Sequence, residues 1–332
     1  MFDEFLTFYW LILNMKKIVP ALLVCMAVFT ATAQPAKQEY TLVDEAVKKL
    51  PAYDTLSMGA IANIVTKNFT GKELKARAIY AWICNNIAYD CKAGKSNDAS
   101  KSSGADVLKY RKAVAAGYAN LFQDMCSSAG IRCLTVDGYI KKTTDDIGEK
   151  KPELNHTWAV VQLGKSPEEW YYVDPCLGAG YTDKKGNTFI KSYDDAYFFA
   201  NKKIFNSQHF PDNEAWKLGD APKNQKSFYD GPIVKGGAYT FGITGFTPAD
   251  GVVKAKTGKP ALFSFAASNG AAINKIILRL ENNNKFVDKA INFTYANGRV
   301  SFDYKFNDEN EFPATIVVND KEALTYFMKV EE

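Results

Sequence analysis

The chain has 332 residues, of which 47% are hydrophobic, 14% aromatic and 23% charged, a composition typical of globular proteins with an apolar core. Intrinsic disorder and a collagen-like repeat are thereby excluded. The 41 basic and 37 acidic side chains give a net charge of +4, which is too small and too evenly spread to indicate a nucleic-acid partner.

The first predicted element is an export signal of bacterial type. Met15-Lys16-Lys17 is a positive n-region, Ile18 to Thr30 is an apolar h-region, and Ala31-Thr32-Ala33 has the small-residue pattern of a cleavage site. We therefore predict a signal peptide at residues 1–33, with residues 15–33 its functional part, and a periplasmic, extracellular or cell-surface location. The apolar runs on either side of the two lysines are each shorter than the roughly 20 residues of a membrane span, so no membrane span is predicted.

In the segment after the signal peptide, predicted helices precede predicted strands. Glu73 to Tyr89 carries apolar residues at spacings of three and four, and Ala115 to Ala129 has a similar apolar face, which Gly130 ends in a left-handed conformation. This order indicates an α+β domain, which we place at residues 34–220. The predicted strands are Ile131–Ile140, Thr157–Leu163 and Trp170–Val173, with a charged turn at Lys141–Pro152 after the first of them.

The C-terminal part reads as a second, all-β domain. Residues 221–232 are poor in apolar side chains and rich in Pro, Lys, Asn and Gly, so a linker is predicted there. Residues 233–332 contain several short strand-like runs separated by turn residues, which predicts an immunoglobulin-like sandwich. Ala296-Asn297-Gly298 indicates a hairpin turn between two of these runs. The predicted strands are Tyr239–Phe246, Ala261–Ala266, Ile273–Leu280, Ala290–Tyr295, Arg299–Phe306, Ala314–Val318 and Ala323–Val330.

Five cysteines follow the predicted cleavage site, an odd number. Cys84 with Cys91, and Cys126 with Cys133, are spaced to close short disulfide loops in an oxidising compartment. The alternative is that Cys84 and Cys126 are small buried thiols within helices. Cys176 is the fifth cysteine and has no partner at a similar spacing.

Two histidines, His156 and His209, restrict the chemistry, because histidine is the usual general base and metal ligand. The sequence contains no CxxC, HExxH, GxxxxGK[ST], GxSxG or GxGxxG motif, so no metal and no cofactor is predicted. His156 and Asp174 each lie at the edge of a predicted strand, where a His–Asp hydrogen bond would fix the ring tautomer. We expect His209 to be a packing or capping residue.

Two helical segments carry a resemblance to a known family. Lys75 to Asp90 resembles the conserved helix of transglutaminase-like cysteine peptidases, and Asp106 to Ala119 resembles their nucleophile segment. The His156 and Asp174 motifs follow in the family's order. Tyr197 to Leu218 is similar to the closing segment of the kyphoscoliosis-peptidase branch, in which a β-sandwich follows. The resemblance covers about residues 40–220 and implies a transglutaminase-like, papain-like cysteine peptidase fold there.

The resemblance also implies a role for individual residues. In this family a cysteine at the start of the second helix attacks an acyl group, with a histidine as base and an aspartate that orients it. Those positions correspond to Ala115, His156 and Asp174. We expect Trp158 and Tyr172 to line the cleft, although aromatic residues of the core would give the same sequence pattern. Because a methyl group cannot attack a carbonyl, the resemblance implies an inactive pseudo-enzyme that binds a peptide, a protein or a cell-wall glycopeptide.

Two alternatives to the pseudo-enzyme interpretation stay open. Cys176 lies two residues after Asp174, so on an extended chain it would share that side chain's face and approach His156. A thiol relocated to Cys176 would make the chain an active cysteine peptidase or protein-glutamine acyltransferase. The other alternative gives the former cleft a purely structural role.

Overall fold

The computed structural model describes residues 37–149, 153–270, 272–282 and 285–332. The predicted signal peptide at residues 1–33 lies outside the described residues. Residues 40–332 form one compact unit. The division into domains at 34–220 and 233–332 stays a prediction. Within the described ranges, every helix is too short or too polar to cross a membrane.

The first part of the described chain combines eight helices with eight strands. The helices are α1 (Lys37–Lys48), α2 (Met58–Thr66), α3 (Lys72–Asn86), α4 (Cys91–Lys95), α5 (Gly104–Tyr110), α6 (Ala115–Ser128), α7 (Pro175–Ala179) and α8 (Lys202–Gln208). The strands are β1 (Ala88–Tyr89), β2 (Lys112–Ala113), β3 (Arg132–Ile140), β4 (His156–Gln162), β5 (Trp170–Val173), β6 (Gly180–Thr182), β7 (Phe189–Lys191) and β8 (His209–Pro211).

An antiparallel sheet of order β5-β4-β3-β8 forms the centre of this part, and α6 packs against β3 and β4. The predicted helices and strands in this region are confirmed to within a few residues, and Gly130 has the predicted left-handed conformation, with φ of 72°. The predicted α+β class is confirmed. Helices α1 and α2 were not predicted, and neither was α5, which directly precedes the segment that leads into α6.

A buried arginine holds the helical layer together. Arg77 of α3 pairs with Asp44 of α1 through two hydrogen bonds, Nε to Oδ1 at 2.8 Å and Nη2 to Oδ2 at 2.5 Å. Its guanidinium also lies over the rings of Tyr40 and Phe198, at 4.7 and 5.2 Å from their centroids. A fully desolvated guanidinium needs such partners, because an unpaired buried charge is strongly destabilising. The pair therefore fixes α1 against α3.

The C-terminal part contains two helices and ten strands among the described residues. The elements are α9 (Gln225–Asp230), β9 (Ile233–Val234), α10 (Gly236–Phe241), β10 (Ile243–Thr247), β11 (Val252–Lys256), β12 (Pro260–Ala267), β13 (Ile276–Asn282), β14 (Lys285–Ala290), β15 (Thr294–Ala296), β16 (Arg299–Lys305), β17 (Asn310–Val318) and β18 (Lys321–Glu331).

These strands form a sandwich of two sheets. One sheet has the order β10-β12-β16-β15, and the other has the order β11-β18-β17-β13-β14, with β9 also paired to β18. Phe263 of β12 stacks on Phe302 of β16 and meets Tyr326 of β18 edge to face, which joins the two sheets.

The predicted sandwich is confirmed, and three of its details need correction. Tyr239–Phe246 is not one strand, because its first half belongs to α10, where Gly237 packs so closely on β18 that a Cβ there would lie 2.6 Å from the carbonyl oxygen of Glu322. The predicted strand Ala290–Tyr295 divides into the ends of β14 and β15, and β11 was missed. The predicted hairpin turn is present, with Asn297 and Gly298 both at positive φ.

The predicted linker 221–232 is a packed segment that contains α9. Phe228 and Tyr229 of α9 are buried, and Asn224 caps the helix by accepting a hydrogen bond from the backbone N–H of Ser227 at 2.9 Å. The polar residues of the segment lie on its exposed face. Phe228 and Tyr229 lie on the opposite face and pack the helix against the rest of the fold.

Lys141, the first residue of the predicted charged turn, directly follows β3 and is buried. Its Nζ donates to the carbonyl oxygens of Phe228 and Gly231, and it is 6% exposed. Burial lowers the pKa of Lys141 to about 7, against the opposing charges of Asp230 and Asp146. A neutral amine still has the two N–H donors that these carbonyl oxygens need.

We expect Lys141 to make the stability depend on pH above neutrality. An unfolded lysine has a pKa near ~10.4. Between pH 7 and that value the unfolded chain binds more protons than the folded one, so the free energy of unfolding rises with pH. The difference between wild type and Lys141→Met, measured by urea unfolding at pH 7, 8 and 9, should grow by at most about 1.4 kcal/mol per pH unit. Parallel curves for the two proteins would show that Lys141 stays charged when folded.

Candidate active site

Asp174 lies at the junction of β5 and α7. It follows the last residue of the strand, and Pro175 comes next as the first residue of the helix, a position that suits the fixed φ of proline. Its Oδ1 accepts the backbone N–H groups of Cys176 and Leu177 at 3.0 and 2.9 Å. Asp174 is therefore the N-cap of α7, and this bonding fixes its carboxylate group.

His156 is the first residue of β4, and its ring faces the free oxygen of that carboxylate. The distance from His156 Nε2 to Asp174 Oδ2 is 2.6 Å. Asn155 fixes the entry into the strand, because its side chain bonds to both the N–H and the C=O of Ile140. Opposite His156 stands Gly138, where a Cβ would lie 2.3 Å from the carbonyl oxygen of Phe210 and 2.6 Å from the Trp158 ring. The predicted His–Asp pair is therefore formed.

His209 joins the same carboxylate, which the sequence did not predict. Its Nε2 lies 3.0 Å from Asp174 Oδ2, the oxygen that His156 also contacts. The ring stacks on Phe205 with centroids 3.7 Å apart and planes 4° from parallel, and it meets Trp158 edge to face. His209 is thus a packing residue, as expected, but it also belongs to the site. Its bond to Asp174 spans 35 positions of the chain, and no local pattern signals such a contact.

Ala115 is the first residue of α6, as predicted for the nucleophile position. Val114, which precedes the helix, has no side-chain oxygen to cap the first turn. The start of α6 is fixed by neighbours on β1 and β2, because Asp90 donates its N–H to the carbonyl oxygen of Ala113 and Tyr118 donates its hydroxyl to that of Ile87. A side chain at position 115 therefore sits at the positive end of a helix, where an anion is stabilised.

Trp158 and Tyr172 belong to the buried core rather than to an open cleft wall, which corrects their predicted role. Both are fully buried. Tyr172 stacks on the face of Phe205 at 4.2 Å, and its hydroxyl bonds to Asn206 and to the carbonyl oxygen of Trp216. The rings of Tyr172, Phe205 and His209 stack on one another in this order and support the site from the core. Trp158 extends this support to His156, with centroids 6.4 Å apart.

Comparisons with known proteins identify the family. Residues 59–175 match the family model described as transglutaminase-like superfamily. The range includes Ala115, His156 and Asp174. This part of the chain belongs to the transglutaminase-like superfamily.

Relatives and one solved structure show how far the likeness extends. The chain is 32% identical over 201 residues to kyphoscoliosis peptidase from Mus musculus, a match that covers 58% of this chain and 30% of that protein. Hillarin from Drosophila melanogaster is 25% identical over 185 residues, covering 51% of this chain and 22% of that protein. The chain thus spans less than a third of either relative. A putative protease from Parabacteroides distasonis aligns with 87% of this chain and 53% of that chain, at 12% identity and a TM-score of 0.26.

The cysteines of the transglutaminase-like domain are free thiols in this structure. Cys84 and Cys126 are buried in helices, as the thiol alternative predicted. Cys176 is also buried, in the first turn of α7, and the pKa of its thiol is raised by burial and by the charge of Asp174. A raised pKa keeps the thiol protonated, which is the opposite of what a nucleophile needs.

The carboxylate of Asp174 is ionised although the residue is 0% exposed. Burial alone would raise its pKa, but the charge of His156 and the hydrogen bonds of both histidines hold the pKa well below the usual value. Since an ionised carboxylate only accepts, both histidines donate from Nε2. The two rings and the carboxylate have the composition of a metal site, with ligand atoms within 4.8 Å of one another. A cation there would have to displace both Nε2 protons.

Replacing Asp174 should cost far more than replacing an ordinary helix cap. Asp174→Ala removes the acceptor for two backbone N–H groups and two imidazole N–H groups, all buried. We expect the free energy of unfolding to fall by about 3–5 kcal/mol. The matched control is Ser103→Ala at the exposed N-cap of α5, where the loss should be about 1 kcal/mol. Equal losses for the two variants, measured by urea unfolding, would contradict this account of Asp174.

Proposed function

We propose that the chain is an exported transglutaminase-like pseudo-enzyme, whose former active site binds a peptide or glycopeptide without cleaving it. One observation carries the proposal. The His156–Asp174 pair is intact at 2.6 Å, while the helix N-terminus that offers the nucleophile position carries the methyl group of Ala115. The site therefore has a base and a residue that orients it, but no atom at position 115 that can attack a carbonyl.

The protonation pattern of the pair supports the assignment of this site. His156 uses Nε2 for Asp174, so Nδ1 is the ring nitrogen left for a ligand or a thiol proton. A general base in this arrangement needs the same tautomer. A methyl group in place of a thiol at position 115 leaves this hydrogen bond and its tautomer unchanged.

Membership of the transglutaminase-like superfamily supports a peptide as the ligand. A relative named as a peptidase supports a peptide ligand, and a cell-wall glycopeptide is the form of peptide that an exported bacterial protein meets. An enzyme of this kind that has lost its nucleophile keeps only the ~10³–10⁴-fold acceleration over water that binding and oxyanion contacts provide. Binding is thus the property that such a site retains.

Export is the second half of the proposal and rests on residues 15–33. When the chain is produced in a bacterial host, we expect cleavage after Ala33 and a mature protein that begins with Gln34. N-terminal sequencing of the protein recovered outside the cytoplasm checks this. Ala33→Arg, which replaces the small residue at the cleavage position, should leave the leader attached. A cytoplasmic protein with an intact N-terminus would contradict export.

Restoring the thiol tests the proposed site directly. Ala115→Cys places a nucleophile at the positive end of α6, the helix that packs against β4 and thus against the strand that begins with His156, so this variant should gain peptide hydrolysis or amine incorporation while wild type stays silent. The substrates are casein peptides and peptidoglycan stem peptides, followed by mass spectrometry. Adding His156→Ala to Ala115→Cys should abolish the gained activity. Wild-type protein in excess should slow the variant's turnover, because it competes for the same peptide.

The outcomes of this experiment separate the alternatives. Turnover by the wild-type protein would overturn the pseudo-enzyme, and its loss in Cys176→Ala would assign the reaction to the relocated thiol. We expect Cys176→Ala to leave the activity of Ala115→Cys unchanged. A silent Ala115→Cys variant that folds normally would show that position 115 is not the nucleophile position.

A further inference from the structure

The carboxylate of Asp174 serves two imidazoles through one oxygen. Oδ2 lies 2.6 Å from His156 Nε2 and 3.0 Å from His209 Nε2, and the two ring centroids are 5.4 Å apart. His209 lies outside the range matched by the family model, which ends at residue 175. The proposed function uses His156 and Asp174 and leaves this second imidazole without a role.

We propose that His209 is a positioning residue of the site, whose Nε2–H holds the Asp174 carboxylate in the orientation from which Asp174 in turn orients His156. The inference deepens the proposed function, since it concerns the same site. It does not depend on whether position 115 ever carried a thiol. What it requires is that His209 acts as a hydrogen-bond donor and not only as a packed ring.

The surroundings of His209 determine which nitrogen carries its proton. Burial lowers the pKa of His209 to about 4, so the ring is neutral near pH 7 and has one N–H. The carbonyl oxygen of Phe205, 3.3 Å from Nδ1, already accepts the backbone N–H of His209. Asp174 Oδ2 is the shorter contact and carries a full negative charge. The proton therefore belongs on Nε2, directed at the carboxylate.

The charge of Asp174 acts on five cysteine and tyrosine side chains, and all five are neutral near pH 7. Burial raises the pKa of each of them, so none carries charge there. The buried negative charge is thus balanced by hydrogen-bond donors, and two of its four donors are the histidines. These groups come from α3, α6, α7, the 195–197 turn and α10, and are Cys84, Tyr118, Cys176, Tyr197 and Tyr239. The positive charge of Lys142 opposes the effect of burial at Cys176, where it lowers the pKa of the thiol.

Two substitutions separate a donor from a packed ring. His209→Phe keeps an aromatic ring to stack on Phe205 and removes the N–H. His209→Gln removes the ring and keeps an amide N–H that can reach Asp174. If His209 only packs, His209→Phe should change the ring of His156 little and His209→Gln should change it strongly. If His209 positions Asp174, His209→Phe should change the ring of His156 strongly and His209→Gln should change it little.

Nitrogen-15 NMR of the imidazole rings measures this in the protein with Ala115 in place. The chain has two histidines, so the spectrum holds two imidazoles, and a variant of one assigns both. In wild type we expect the Nε2–H tautomer for both rings. In His209→Phe the carboxylate loses the donor that holds its orientation, so the neutral ring of His156 should lose its fixed tautomer and give averaged Nδ1 and Nε2 shifts. His209→Gln should stay close to wild type.

Two results would overturn the proposal. One is a wild-type His209 with its proton on Nδ1, which decides the matter even if neither variant folds. The other is a folded His209→Phe variant in which the tautomer of His156 is unchanged.

A kinetic measurement in the Ala115→Cys background adds a second readout. With His209→Phe we expect kcat to fall about tenfold to a hundredfold while KM stays the same, because a misplaced imidazole affects the reacting geometry and not the binding of the peptide. His209→Gln should restore most of the loss. If Ala115→Cys is itself inactive, the proposed function fails, and the NMR result still decides the role of His209.

Discussion

The structure around the site depends on one buried carboxylate. Asp174 accepts four hydrogen bonds, two from the backbone of α7 and two from imidazoles. An ionised group in the interior is tolerated only when its lone pairs are satisfied, because the desolvation penalty of a bare carboxylate is prohibitive. The two oxygens have different partners, since Oδ1 caps α7 and Oδ2 faces the histidines. A change at Asp174 would therefore disturb the helix and the site together.

This arrangement separates the residues that the fold requires from position 115. Asp174 and His209 are required by the fold, the first as a helix cap and the second as a ring packed between Phe205 and Trp158. Their presence is therefore weak evidence of activity. Position 115 is different, since alanine is the best helix former and a methyl group there leaves no polar group unpaired. In the proposed pseudo-enzyme, the nucleophile is the part of the site whose absence costs the least stability.

The sequence predicted those elements whose hydrophobic period is regular. The stripe of α3, the helix α6 with its Gly130 end, and strands β3 to β5 follow from local spacing alone. Short apolar runs were ambiguous, so α10 was taken for a strand, and its true conformation depends on how closely Gly237 approaches β18. The segment 221–232 was taken for a linker, although Asn224 and Ser227 form a capping box that signals α9.

The site was predictable where the family motif reached and not beyond it. His156 and Asp174 were expected to pair because they lie at the edges of neighbouring strands. The third partner, His209, is the first residue of β8, directly after α8, and the register of β8 on β3 brings it to Asp174. Contacts of this kind are set by tertiary packing, for which a single sequence contains no local signal.

The C-terminal part supports the residue before His209 through Tyr239 of α10. Tyr239 of α10 donates its hydroxyl to Gln208 Oε1 at 2.6 Å, and the amide of the same Gln208 donates to the hydroxyl of Tyr197 at 3.2 Å. Gln208 is the residue before His209, so the C-terminal part supports the end of α8 directly before the second imidazole. His156 has a structural duty of its own, because it is the other imidazole donor to the buried carboxylate of Asp174. The charge of Asp174 is therefore satisfied from two directions, by the first residue of β4 and by a residue that the C-terminal part holds in place.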